Sequence, residues 1–305
     1  MKLLKFWMLL CLSLCTSVAF ARKGYEEQKI YVTAFSEIEI SSRYIATFEK
    51  ANQYEIILEV PEQLMTYAKT RVVNEKVMLS FDMDRMSSSE RRYMNEHLPY
   101  VRIKAPAFRK LNLYGATSMD LKGDFKLDDV KLKMSGASSF NAGELRAKKM
   151  EMELSGASKA KIRKGAAQIL EMEIAGASHC DLSSVEAKKI EMEMAGASKV
   201  MVTELVTDEL KTDISGASRC VLSSVDTKKM EVDLAGASYL DMKAFAENAD
   251  VEVAGASKMN WEPLSGKVGN CLDIAVAGMS KVNAEKVRFR KVNREVNGMS
   301  KLKIK

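Results

Sequence analysis

The side chains whose type and spacing best suit chemistry are carboxylates. Glu151 and Glu153, Glu171 and Glu173, Glu191 and Glu193, Asp213, and Glu231 and Asp233 recur at twenty-residue steps, and Asp250 and Glu252 close the series. Two chemistries use such arrays. Carboxylates ~4.8 Å apart across neighbouring strands and ~6.6 Å apart along one strand could share a hard cation such as Ca²⁺, and paired carboxylates are the tools of glycoside hydrolysis. The local sequence favours neither. Calcium sites draw on loop carbonyls and Asp-Gly turns, which these segments lack, so no metal ligand is assigned. A catalytic site should stand apart from a repeat, whereas these acids are the repeat, and no catalytic residue is assigned either. What remains is a solvated stripe neutralised by its neighbours. Lys159, His179, Lys199, Arg219, Lys258, Lys281 and Lys301 form a basic column on one side, interrupted by Tyr239, and Lys148-Lys149, Lys188-Lys189 and Lys228-Lys229 border the other. Exposed ion pairs of this kind contribute at most ~1 kcal/mol each.

Hydroxyls and thiols are the other candidates. Ser138, Ser158, Ser178, Ser198, Ser218 and Ser238 keep the same twenty-residue step and Ser257 follows after nineteen, with Ser280 and Ser300 after them and Thr117 ahead. No Gly-x-Ser-x-Gly elbow and no matched His and acid accompany them, so they read as corner residues bonding backbone or one another. His97 and His179 share no zinc-type spacing with the cysteines. Cys180, Cys220 and Cys271 are an odd set, and Cys180 and Cys220 sit two repeats apart, about 9–10 Å for stacked strands. That is beyond disulfide reach, and all three read as small packing residues.

The elements that must position these groups follow from a repeat. Gly-Ala-Ser begins at Gly136, Gly156, Gly176, Gly196, Gly216, Gly236 and Gly255, with degenerate copies at Gly115, Gly278 and Gly298. Each copy carries period-two alternation on both sides of the glycine, as in Met150-Glu151-Met152-Glu153-Leu154, which is a strand pattern. Leu170, Met172 and Ile174, Ile190, Met192 and Met194, and Met230, Val232 and Leu234 mark inward columns, with methionine as core filler. Leu145, Val185, Leu205, Val225 and Phe245 recur nine residues after the glycine and predict a short third side. Twenty residues cannot bury their own apolar face, so each coil needs a neighbour above and below. The fold class is all-β: a parallel β-solenoid of about ten coils, a rod on the order of 50 Å long. A leucine-rich repeat has this period but wants an Asn or Cys ladder that is missing. Glycine suits a corner that needs φ > 0 or close backbone approach.

The ends frame this array. Lys2 and Lys5, the apolar run Leu9 to Val18 and Ala19-Phe20-Ala21 read as a signal peptide over residues 1–21, so the mature chain is expected to start at Arg22. Lipidation at Cys15 is the alternative, disfavoured by the bulky Leu12-Ser13-Leu14 before it. No later apolar run approaches the ~20 residues a membrane span needs. Residues 22–104 lack the period but read as strands at Ile38 to Ile40, Tyr54 to Val60, Val77 to Phe81 and Val101 to Ile103, and are expected to cap the solenoid of residues 105–305. Asp84 to Glu96 reads as an exposed loop or short helix. A net charge of +6 from 47 basic and 41 acidic residues, interleaved in sequence, argues against a nucleic-acid partner.

Phe35-Ser36-Glu37-Ile38-Glu39-Ile40, Val60-Pro61-Glu62-Gln63-Leu64, and Val101 to Pro106 leading into Leu111 to Ser118 and the glycine-serine coils resemble the putative auto-transporter adhesin, head GIN domain family of bacterial envelope proteins. The resemblance implies a right-handed parallel β-helix in the periplasm, associated with the outer membrane or at the cell surface, with no established activity and no cofactor. The expected function is a non-catalytic, adhesin-like module that presents a charged β-surface to envelope protein or glycan. Two alternatives stand beside it: a structural module stacking end to end by self-association, and a carbohydrate-active enzyme.

Overall fold

The computed structural model describes residues 22–264 and 266–304. The signal-peptide and Cys15 readings lie outside the described residues. From Gly115 onward the chain winds as a β-solenoid. Long strands Lys159–Ile174, His179–Met194, Lys199–Ile214 and Arg219–Leu234 pair in parallel with a twenty-residue offset, so that Met152, Met172, Met192, Thr212 and Val232 lie directly over one another. The alternation read from sequence sets which face is inside. Met150, Met152 and Leu154 before the glycine and Ala160 and Ile162 after it are buried, and their counterparts in neighbouring coils build one continuous core.

The glycine column is required twice over. At Gly196 φ is +78°, and a Cβ there would stand 2.8 Å from the Gly176 carbonyl oxygen; Gly216 repeats this against Gly196 at 2.5 Å. An L-residue would meet both the left-handed backbone penalty and the backbone of the coil beneath. Two residues on, each serine from Ser138 to Ser280 turns inward and is buried. Ser158 Oγ donates to the Ser155 carbonyl at 2.8 Å, and Ser198 and Ser218 hydroxyls pair at 3.1 Å. Ser178 Oγ has no hydrogen-bond partner among the described residues.

Two departures from strict period have physical causes. The coil between Gly236 and Gly255 is one residue short, and the pairing register shifts between Leu222 and Val225. Because side chains alternate faces, one deleted residue inverts the facing of the positions beyond it. Ala244, not Phe245, therefore sits over Val225 and is buried, while Phe245 pairs with Asp226, turns outward and lies under the Lys267 ammonium at 4.6 Å. The sequence expectation that Phe245 continues the inward third-side column is corrected. The next step, Gly255 to Gly278, is longer. Its extra length bulges after the strand Lys258–Pro263, where buried Trp261 donates Nε1–H to the Ala244 carbonyl at 3.0 Å and stands edge-on to Phe289.

The N-terminal segment holds β1 (Tyr25–Tyr31), β2 (Glu37–Ile40), β3 (Ile45–Lys50), β4 (Glu55–Pro61), β5 (Ala68–Val73), β6 (Lys76–Phe81), helix α1 (Ser88–Glu96) and β7 (Tyr100–Ala105). The polar stretch resolves as a helix because Ser87 and Glu90 form a reciprocal capping box. In the structure the stack reaches into this segment. β2 pairs in parallel with Lys110–Leu113 and β3 with Ser118–Lys122, while β6 and β7 lie on their other sides. Ser42, with φ +82°, occupies the glycine position, and its carbonyl oxygen fills the space that a Cβ on Gly115 would need. Tyr44 stands in the serine position, buried, its hydroxyl reaching the Ser80 carbonyl at 3.5 Å. Beyond this rung the pairing turns antiparallel, β1 on β4, β4 on β7 and β5 on β6.

Candidate binding surface

The in-register stack turns each outward position into a ladder, and the acidic ladders behave differently from one another. Five residues before the glycine, carboxylates alternate with or touch lysines. Lys149 bridges Glu151 at 2.7 Å and Glu171 at 3.0 Å, Lys189 holds Glu191 at 2.7 Å, and Lys211 replaces an acid outright to pair with Glu231 at 2.7 Å. Hydrogen bonds from these ammonium groups pull Glu151 and Glu231 below the usual carboxylate range. Three residues before the glycine only Glu153 is served this way, by Lys131 and by Lys133 at 2.8 Å. Glu173, Glu193, Asp213, Asp233 and Glu252 continue the ladder with no cation within 4.0 Å among the described residues. Partial burial, and then the Asp213 carboxyl beside it, pushes Asp233 up to about 6. The neutralised stripe read from sequence thus describes one of its two columns. Among the described residues no three His, Cys, Asp or Glu side chains converge as a metal site.

The basic column is continuous: Lys159, His179, Lys199, Arg219, Tyr239, Lys258, Lys281 and Lys301 fall in register. Tyr239 joins it instead of interrupting it, since the Arg219 guanidinium lies 4.6 Å and the Lys258 ammonium 5.6 Å from its ring centroid. His179 Nε2 faces the Asp181 carboxylate at 2.8 Å. The serine column is buried at the corner. Cys180 and Cys220 are free and fully buried, and burial pushes the Cys220 thiol up to about 12, so neither is a reactive thiolate.

A concave surface lies elsewhere, along the corner between the third side and the next strand. A groove of ≈ 720 Å³ runs lengthwise over successive coils from Lys126 to Glu247. Its floor is a ladder of small side chains eleven residues after the glycine: Ala147, Ala167, Ala187, Thr207 and Thr227. The threonines close the corner by donating to backbone, Thr207 Oγ1 to the Lys188 and Glu209 carbonyls at 3.1 and 3.0 Å. One rim carries Arg146, Glu186, exposed Val206 and Asp226; the other carries Lys148, Lys188, Asp208 and Lys228. Rim charges pair along the axis, Lys148 with Asp128 at 2.8 Å and Lys228 with Asp208 at 2.7 Å. Basic and acidic side chains lining the groove are equal in number, so it carries no net charge. Sequence reasoning did not single out this floor; the Ala or Thr that recurs eleven residues past five successive glycines, Gly136 to Gly216, is the signal that could have found it.

Among the described residues no helix is long and apolar enough to cross a membrane. No curated protein matches the chain. Solved structures do: a crystal structure of a putative adhesin from Bacteroides fragilis is 11% identical with a TM-score of 0.53, covering 93% of this chain and 98% of that one. A putative adhesin from Parabacteroides distasonis is 13% identical with a TM-score of 0.51, covering 92% and 97%. At such identities the likeness is one of fold. The family described as "Putative auto-transporter adhesin, head GIN domain" matches residues 34–224 and 212–305, and with nearly all of the described solenoid inside those bounds the chain belongs to that family.

Proposed function

We propose that the protein is a non-catalytic, exported envelope module that holds an extended polymer of no net charge, glycan or protein, along the groove. The observation that carries this reading is the groove's form. It is long, keeps a floor of small Ala and Thr side chains over five successive coils, and balances its rim charges. A site of that kind fits a repeating chain better than a compact ligand, whose pockets are closed and few. No singular cluster of nucleophile, acid and base interrupts the floor, so the groove offers places to bind and none to cleave. Membership of a family named for adhesins supports the same direction. Within this reading, residues 22–104 cover the solenoid through antiparallel β1, β4 and β5, and residues 1–21 direct export to the periplasm, the outer membrane or the cell surface.

The test is binding of the mature chain, residues 22–305, to a panel of neutral glycans and extended peptides graded by length. Affinity should rise with polymer length until the groove is filled, with no change in the polymer's mass. Ala167→Phe on the floor and Val206→Lys on the exposed rim should each weaken binding roughly tenfold, with the unfolding midpoint measured as a control on folding. Release of shorter fragments would replace the reading with an enzyme, and unchanged binding in both variants would remove the groove from it.

A further inference from the structure

The chain's positive charge has an address. Residues 281–305 contain nine basic and two acidic residues, a net +7 against +6 for the whole protein, so the rest of the chain is close to neutral. Eight of the nine are described, and all eight are exposed. Only Lys303 has an ion-pair partner among the described residues, Glu285 at 3.5 Å. Interleaving of acids and bases, which holds along the middle coils, fails here.

The same two coils carry the most exposed large apolar side chains among the described residues. In eight copies the residue after the corner glycine is alanine, but here it is Met279 and Met299, 60% and 75% exposed. They stack one over the other, because the Met299 N–H bonds to the Gly278 carbonyl at 2.9 Å. Lys281 and Lys301, paired in register, flank them two residues on. Neither methionine fills a core gap, and the alanines of the other coils show that the corner does not need them.

From this juxtaposition we propose that the corner and faces of the last two described coils dock the protein on an anionic phospholipid surface, with Met279 and Met299 entering the headgroup layer and the uncompensated cations facing lipid phosphates. Clustered cations alone would suit any polyanion. The paired methionines decide for a bilayer, since flexible apolar side chains gain from entering an interface and gain nothing against a hydrophilic polymer. A second copy of this end would bring +7 against +7, which disfavours tail-to-tail pairing.

Co-sedimentation of the mature chain with vesicles tests this. Vesicles of phosphatidylcholine with about a third phosphatidylglycerol should bind it and pure phosphatidylcholine vesicles should not, with binding weakened by added salt. Lys281→Gln with Lys301→Gln should cost roughly 25-fold in affinity, taking about 1 kcal/mol per cation near the surface. Met279→Ala with Met299→Ala restores the residue of the eight other coils, so the fold should persist, and vesicle affinity should drop several-fold while binding to soluble polyphosphate stays as it was. Equal binding to neutral and anionic vesicles, or sedimentation with neither, would overturn the proposal. So would a methionine variant that keeps full vesicle affinity while polyphosphate competes as well as lipid, which would name a soluble polyanion as the partner.

Discussion

Single residues in this molecule matter through the copy of themselves one coil away. Gly196 shows it most clearly, because its missing Cβ makes room for the Gly176 carbonyl while its φ of +78° also excludes ordinary side chains. Gly123 separates the two effects, having φ +101° with nothing within 4 Å of a would-be Cβ. Gly123→Ala should therefore cost only the backbone strain, about 1 kcal/mol, and Gly196→Ala about 3 kcal/mol, read as the difference in urea unfolding between each variant and the parent. Thr212 is the opposite case. Its hydroxyl lies in the inward column between Met192 and Val232, buried and without a partner. Thr212→Val keeps the shape and removes the orphan, so stability should rise by about 1 kcal/mol in the same assay. Ser178 is likewise unpartnered, whereas Ser198 shares a bond with Ser218; alanine should be better tolerated at 178 than at 198.

At the scale of strands, parallel in-register pairing stacks like on like, and charge has to be managed along the stack. Lys211 does this for Glu231, but Asp213 and Asp233 face each other with Glu252 beyond and no cation in contact among the described residues. Asp233, raised to about 6 from an ordinary 3.8, binds its proton more tightly folded than unfolded. Its contribution to stability therefore grows as pH falls from about 7 through 6 and is complete near 4. Glu151, Glu153 and Glu231 are lowered by their lysines, so their contribution is present above the ordinary carboxylate pKa and is lost as pH falls below it. Thermal unfolding across pH should show a maximum near pH 5. Asp233→Asn should raise stability at pH 7–8 and flatten the rise between pH 7 and 5; a variant that tracks the parent throughout would remove the carboxylate pair from the explanation.

The strands themselves were legible because period-two alternation and a fixed glycine step state face and register together. Legibility failed where one coil lost a residue. The sequence shows that the step is nineteen but not where the missing residue falls, and pairing places the irregularity between Leu222 and Val225, which sends Phe245 outward. It failed again at Ser42 and Tyr44, which fill the glycine and serine positions with unrelated residue types held by tertiary contacts. The groove floor escaped notice because alanine and threonine advertise neither core nor chemistry, and concavity is a property of the stack.

For the whole molecule, the acidic and basic ladders, the groove and the cationic corner exist only if every coil lies directly over the last. Residues Ala137, Ala217, Ala237 and Ala256 are exposed corner positions on the same column. Nitroxide labels on cysteines placed there, in a Cys271→Ser background that removes the half-exposed thiol, report the spacing by pulsed electron paramagnetic resonance. The pairs 137–217, 137–237 and 137–256 span four, five and six coils, so their mean separations should step up by ~4.8 Å each, from ~19 to ~24 to ~29 Å. Distances that fail to grow with coil number, or that scatter as in a compact globule, would contradict the stacked arrangement on which every ladder in this protein depends.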